Sequence, residues 1–342
     1  MILITGANGW LGLNLVEALT NGQAEKWGLK PDTLRCLTLP GTDQGTLRQF
    51  GGDLDLREGD LRNLGNIEHF VEGAEDAILF HTAGIIHPQR IRELYEINRD
   101  ATEQLLRCAA EAGVRKAVVV SSNSSCGCNP HPDHLFDEDS PYRPYMNYGR
   151  SKMEMEQRVK AIQIENLLET VLIRAPWFYG PNQPPRQKLF FEMIRSGKVP
   201  LVGSGTNLRS MAFLENLAQG LIRAASVPEA VGQVFWIADE RPYSMGEIID
   251  TIERLMEDEF GQDCAHRRVR LPSLVSDVAE WMDASLQGLG LYQQKIHVLS
   301  EMNKTIACSV ERAWEVLGYR PEIALEEGMR RSLREIYGLE KE

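Results

Sequence analysis

Residues 5–12 read Thr-Gly-Ala-Asn-Gly-Trp-Leu-Gly, directly after the apolar run Ile2-Leu3-Ile4 and directly before a segment whose Leu13, Val16 and Leu19 repeat at helical spacing. This strand–turn–helix pattern constrains the chain more than any other stretch. Glycine at 6, 9 and 12 permits a tight turn and lets backbone N–H groups approach an anion at the positive end of the next helix. A glycine triplet in isolation can be a structural turn and nothing more. Its place between a first strand and an amphipathic helix is what points to a pyrophosphate cradle.

The rest of the first half repeats the same alternation. Strand-like runs at Ile2–Thr5, Leu34–Leu39, Leu54–Arg57, Ala77–His81 and Ala117–Ser121 alternate with helical patterns. The clearest helix runs from Ile97 to Ala112, with Ala101, Leu105, Cys108, Ala109 and Ala112 on one face and Gly113 as its stop. Val118, Val119 and Val120 are apolar without alternation, as in a parallel strand covered on both faces. The pattern predicts an α/β fold with a doubly wound parallel sheet. After Arg174 the rhythm changes. Pro176–Pro185 reads as a loop leaving the sheet, followed by helix-like Lys188–Ser196, a glycine-rich stretch at 203–205 and helix-like Glu215–Ala225. Gln233–Ala238 reads as one more strand, and the tail from Ser244 is mostly helical, ending in Leu325–Tyr337. The division expected is a dinucleotide-binding domain over 1–175, with 211–238 returning to it, and a smaller substrate lobe made of 176–210 and 239–342.

Composition excludes several classes. A net charge of −12 argues against a nucleic-acid binder, while a few local arginines still suffice to hold one anionic small molecule. No stretch approaches the roughly 18 uncharged apolar residues of a membrane span, and no secretory leader is read at Met1, so a cytoplasmic protein without an integral membrane segment is expected. The six cysteines are scattered. Cys126 and Cys128 have no second pair at metal spacing, so reduced thiols and no metal are expected.

Tyr148-Gly-Arg-Ser-Lys152 places a phenol and an ammonium one turn apart on one helix face. A free phenol, with a pKa near 10, is a poor base at neutral pH; a neighbouring ammonium favours the phenolate. Such a Tyr can exchange a proton with a hydroxyl or carbonyl. Many proteins carry this spacing without consequence. Here it lies well beyond the glycine turn and shortly after an apolar strand that ends in serines.

The glycine spacing is Gly-x-x-Gly-x-x-Gly, and with the Tyr–Lys pair it resembles the extended short-chain dehydrogenase/reductase family of NAD-dependent epimerase/dehydratase type. Gly59-Asp60-Leu61, His81-Thr82-Ala83-Gly84, Asn98, Arg174 to Pro181 and Leu317-Gly318-Tyr319-Arg320-Pro321 are similar to family segments in the same order, so the resemblance covers nearly the whole chain. It implies a Rossmann-type sheet with a smaller, mostly helical C-terminal substrate lobe. It also implies cofactor contacts at Gly6, Asn8, Gly9, Trp10, Leu11, Gly12, Asp60, Leu61, Ala83, Gly84, Tyr148, Lys152 and Pro176. Tyr148 would be the acid/base, Lys152 would lower its pKa and hold the ribose, and Ser122 would orient the substrate oxygen. Ser124 is the other serine that fits the register and is counted among substrate contacts with Phe178, Asn182 and Arg209. The family usually has Pro directly after the Arg; here Ala175 stands there. A homodimer through helices at about 92–112 and 147–165 is likewise implied.

Two points stay open. The end of the second strand, Leu37-Thr38-Leu39-Pro40, has neither a well-placed acid nor a well-placed Arg, which tilts the cofactor to NAD and leaves NADP possible in principle. The substrate expected is a nucleotide-diphosphate sugar, with Arg209 gripping the diphosphate, in an epimerase or sugar reductase. A 4,6-dehydratase is disfavoured because Asn123-Ser124 replace the acidic pair such enzymes carry. The alternative is an apolar alcohol or ketone, as in the 3β-hydroxysteroid dehydrogenase or flavonol reductase branch. Leu271–Leu291 groups Leu274, Val275, Val278, Trp281, Met282 and Leu286, fit for a greasy lid or a membrane-surface contact, although plain packing on the small lobe is the expectation. A non-catalytic dinucleotide sensor is a further alternative, disfavoured because Tyr and Lys are both present.

Overall fold

Apolar residues on both faces of every central strand dictate a sheet covered on both sides, and the chain builds one. The structure is a computed structural model that describes residues 1–31, 33–51 and 54–338. Strand β1 (Ile2–Thr5) leads into helix α1 (Trp10–Thr20). Then come β2 (Leu34–Thr38), β3 (Leu54–Glu58), α2 (Leu64–Val71), β4 (Ile78–His81), α3 (Ala101–Glu111), β5 (Lys116–Ser122) and α4 (Met146–Ile164). The sixth strand, β6 (Glu169–Ala175), precedes α5 (Pro185–Arg195) and α6 (Leu214–Ser226), and β7 (Val234–Trp236) closes the sheet. All seven strands are parallel, in the order β7-β6-β5-β4-β1-β2-β3. Strand order reverses between β1 and β4, so their C-terminal ends open a crevice there.

Alternate residues of each strand feed different cores. Ile2, Ile4, Val118 and Val120 pack with α1 and α6 on one face. Leu3, Ala117 and Val119 pack with α2, α3 and α4 on the other. Within 211–238, α6 packs on one face of the sheet and β7 pairs with β6 at its edge. A third core joins α5 to α7 (Met245–Asp258) and to α10 (Leu325–Tyr337) in the C-terminal lobe. Between them lie α8 (Ser273–Gly288) and α9 (Gln294–Glu301), packed against each other as a hairpin.

Two expectations need correction. Pro176–Pro185 is not all loop: Trp177–Tyr179 pairs in parallel with Met211–Phe213, because its alternate residues find partners beside the main sheet. And α8 does not pack through its apolar group. Ser276, Asp283 and Gln287 are its buried face, whereas Leu274, Val278, Trp281 and Met282 are exposed. The polar side finds hydrogen-bond partners in α9 and α4, so the helix turns its greasy side outward.

Candidate active site

The cradle follows from the turn after β1. Gly6 sits at φ +70, and a Cβ on Gly12 would come 2.1 Å from the Gly6 carbonyl oxygen, so no side chain fits there. Gly9 precedes α1 with no side-chain cap, leaving the first-turn N–H groups of Trp10, Leu11 and Gly12 open to an anion. Asn8 donates from Nδ2 to Thr42 Oγ1 at 2.7 Å, and Trp10 donates from Nε1 to the Pro181 carbonyl at 2.7 Å. Across the crevice, Ala83 and Gly84 follow β4. Asn98 fixes that loop, accepting from the Ile85 N–H and donating to the Ile85 carbonyl, both at 2.9 Å. It is aimed there by a π-helical turn, Tyr95–Asp100, that precedes α3. Leu61 is buried, and Asp60 is held below the usual carboxylate range by its bonds to Arg62. Pro176 is buried directly after β6. A cradle closed to any side chain beside an open helix end fits a dinucleotide.

The candidate acid/base residues come from α4 and the end of β5. Gly149 brings them together: a Cβ there would lie 2.2 Å from the Ser124 carbonyl, so only glycine lets the helix approach the serine loop. The four serines are sorted by one buried carboxylate. Glu156, with no exposed surface, accepts from Ser121 Oγ at 2.6 Å and from Ser125 Oγ at 2.9 Å, and is paired with Arg174 at 2.9 Å. Ser122 and Ser124 are left on the other side, their hydroxyls 3.4 Å apart, with Ser122 in hydrogen-bonding reach of Tyr148.

Tyr148 itself departs from expectation. Burial pushes its phenol up to about 12, and Glu301 adds to that, while Ser122 and Arg186 pull the other way. Lys152 is driven down to about 8 by burial, against the pull of Glu156. Its ammonium points to the Val120 carbonyl at 3.1 Å rather than to the phenol, so the expected depression of Tyr148 by Lys152 is absent from this arrangement. Desolvation outweighs the charge pairing that sequence spacing suggests.

The other candidate residues scatter. Phe178 packs its ring 5.3 Å from that of Trp10, and the Asn182 N–H donates to Glu335 of α10 at 2.6 Å. Arg209 donates from Nη2 to the carbonyl of Glu301, the residue whose carboxylate acts on Tyr148. Its Nε is buried with no acceptor, and it forms no ion pair among the described residues.

Sequence reasoning missed the polar network of the α8–α9 hairpin. Gln287 Oε1 accepts from both N and Nδ2 of Asn147, the neighbour of Tyr148, each at 3.0 Å. Gln287 in turn donates to buried Asp283, which also binds His297 Nδ1 at 2.7 Å. His87 meets Tyr292, and Tyr145 meets Ser300, both at 2.7 Å. The pairs that tie the hairpin to the rest, Asn147–Gln287, Tyr145–Ser300 and His87–Tyr292, lie 140 to 205 residues apart, and no local spacing announces them. Glu156 was the legible omission, since it sits on the Lys152 face of α4, one turn on.

Comparison with known proteins agrees with this geometry. The sequence profile of the NAD dependent epimerase/dehydratase family matches residues 2–238. The Sinorhizobium fredii protein y4nL is 49% identical over 336 residues, spanning 97% of this chain and 94% of its own. At 25% identity stand the Arabidopsis thaliana 3beta-hydroxysteroid-dehydrogenase/decarboxylase isoform 1 (97% of this chain, 78% of that protein) and the Vibrio cholerae UDP-glucose 4-epimerase (97% and 94%). Among solved structures, the dTDP-glucose 4,6-dehydratase DesIV of Streptomyces venezuelae, with NAD bound, superposes with a TM-score of 0.76 at 21% identity, covering 97% of this chain and 95% of its own. The seven-stranded parallel sheet, the glycine cradle and the profile over 2–238 together make this chain a member of the NAD-dependent epimerase/dehydratase family, of the extended short-chain dehydrogenase/reductase type.

Proposed function

We propose that the protein is an NAD-dependent oxidoreductase or epimerase that moves a hydride reversibly at a hydroxyl-bearing or keto carbon of a nucleotide-diphosphate sugar. The observation that carries the substrate class is Arg209, a guanidinium whose buried Nε has no acceptor in the protein. A buried donor left unpaired is costly, and a diphosphate oxygen would satisfy it with a charge-assisted bond. The bound nicotinamide supplies the hydride acceptor and donor. The α1 N-terminus and the cradle Gly6–Gly12 hold the pyrophosphate, and Lys152 holds the ribose. Ser122 and Tyr148 bracket the reacting oxygen, with Tyr148, protonated at neutral pH, giving its proton to a carbonyl and taking it back in the reverse direction.

NAD over NADP is supported by Arg35, which is committed to Asp55 at 2.6 Å and to the carbonyls of Phe70 and Glu72. The homodimer and the cytoplasmic location belong to the same proposal. A second reading, an apolar alcohol or ketone substrate, is favoured by the steroid dehydrogenase that matches as well as the epimerase does.

Calorimetry with UDP, GDP and dTDP decides between them. One nucleoside diphosphate is expected to bind at micromolar strength, and Arg209→Ala to weaken it roughly a hundredfold, as for loss of a charged hydrogen bond. Tyr148→Phe is expected to abolish turnover while sparing that affinity. If no nucleoside diphosphate binds to protein that retains its dinucleotide, the sugar-nucleotide reading is wrong.

A further inference from the structure

The helix α8 is built inside out. Its buried face is Ser276, Asp283 and Gln287 with Ala279, bonded to α9 and α4. Its outer face carries Leu274 at 67% exposure, Val278, Trp281 at 71% and Met282, and the turn beyond adds Leu289 at 77%. Those positions fall at 274, 278, 281, 282 and 289, a single apolar stripe at helical spacing. An exposed stripe of large apolar side chains on one face calls for a covering surface.

Charge says which surface. The two acids flanking the stripe, Asp277 and Glu280, are both paired with Lys304, at 3.7 Å and 2.8 Å. Arg267 and Arg270 on the approach to α8, and Lys295 at the start of α9, are exposed and form no ion pair among the described residues. In a protein of net charge −12, the acids beside the stripe thus share one ammonium, while the segments leading into α8 and α9 carry exposed cations without ion pairs among the described residues. Apolar side chains with an interfacial Trp, edged by Arg and Lys, suit the boundary between headgroups and acyl chains of an anionic bilayer. No helix among the described residues is long and apolar enough to cross a membrane, so the contact lies on the surface.

We propose that the outer face of α8 is a docking surface that seats the protein on an anionic phospholipid bilayer, with Leu274, Trp281 and Leu289 in the interface and Arg267 and Arg270 on the headgroups. The inner face of the same hairpin holds Asn147 beside Tyr148, so docking brings the catalytic cleft to the lipid surface. The proposal is independent of the substrate assigned above.

The test is co-sedimentation of the full-length protein with vesicles of phosphatidylcholine alone and of equal parts phosphatidylcholine and phosphatidylglycerol. The protein is expected to pellet with the mixed vesicles, to be released by high salt, and to show a blue-shifted emission that Trp281→Phe removes. Leu274→Ser with Trp281→Ser is expected to weaken binding roughly tenfold or more, at an unchanged melting temperature because both side chains are exposed. Arg267→Gln with Arg270→Gln should weaken binding and flatten its salt dependence. Tyr148→Phe should pellet like the wild type, which separates failure of this surface from failure of the chemistry. The proposal is overturned if the protein stays in solution with anionic vesicles, or if the Leu274/Trp281 variant binds equally well. A concentration-dependent dimer that this variant dissolves would also overturn it, since a second copy would then be the occupant.

Discussion

Tyr148 and Lys152 stand one helical turn apart, and burial moves them in opposite directions, up to about 12 and down to about 8. For Lys152 the sign of the linkage is clear. Its folded pKa lies below the ordinary lysine value of 10.5, so below pH 8 the fold bears the full cost of a buried ammonium, relieved as pH rises from about 8 to 10.5. Lys152→Met is therefore expected to be more stable than the wild type at pH 7, by up to about 3 kcal/mol, with the gap closing toward pH 10. Urea midpoints at the two pH values check this, and an equal gap at both would mean that Lys152 is not held near neutrality. At this scale much of the site was legible. The glycines and the Tyr–Lys pair are local motifs that spacing alone reveals, although burial, not spacing, sets the pKa values of the pair. Lys152's aim at the Val120 carbonyl was not legible, because it depends on a carbonyl brought in from β5.

The α8–α9 hairpin shows what periodicity can and cannot say about an element. The apolar stripe of α8 was visible in the sequence, but a stripe gives a face, not the thing it faces. The polar positions decided the packing through partners far along the chain. Within the hairpin, burial lowers the His297 pKa, but bonding to Asp283 and the nearby Glu301 outweigh it and the net shift is upward. Tyr145, Tyr292 and His87 are the other titratable groups around it. The stabilisation is fully present below the ordinary histidine pKa of 6.5 and is lost as pH rises through the raised folded value. Asp283→Asn should drop the His297 pKa and cost about 1–3 kcal/mol at pH 6, with a smaller loss at pH 9. Imidazole chemical shifts and melting curves read both, and a pH-independent loss would rule out the ion pair as its source.

Across the whole molecule, one buried pair ties the sheet to the helix that carries Tyr148. Glu156 on α4 holds Arg174 on β6 and Ser121 on β5, and the guanidinium lies 5.5 Å from the Trp236 ring of β7. Glu156→Ala leaves that guanidinium buried and uncompensated, at a cost of about 3–5 kcal/mol. The double variant Glu156→Gln with Arg174→Met should recover most of the melting temperature, and a double variant as unstable as the single would show that the charges are not the cause. The alternation of strands and helices made a parallel sheet and six of its seven strands readable from the sequence, with β6 (Glu169–Ala175) not named there, whereas the pairing of Trp177–Tyr179 with Met211–Phe213 was not readable, because three-residue strands carry no period. The hairpin has one more consequence. Between residues 273 and 301, Ala279 is the sole buried apolar side chain among the described residues, so the hairpin is held to the body by polar bonds. With its other apolar side chains only partly buried or exposed, opening it would uncover less hydrocarbon surface than unfolding a packed core, and both heat capacity and denaturant sensitivity scale with the surface uncovered. Any opening of this cover over the helix that carries Tyr148 would therefore show a shallower urea dependence and a smaller heat-capacity change than melting of the body.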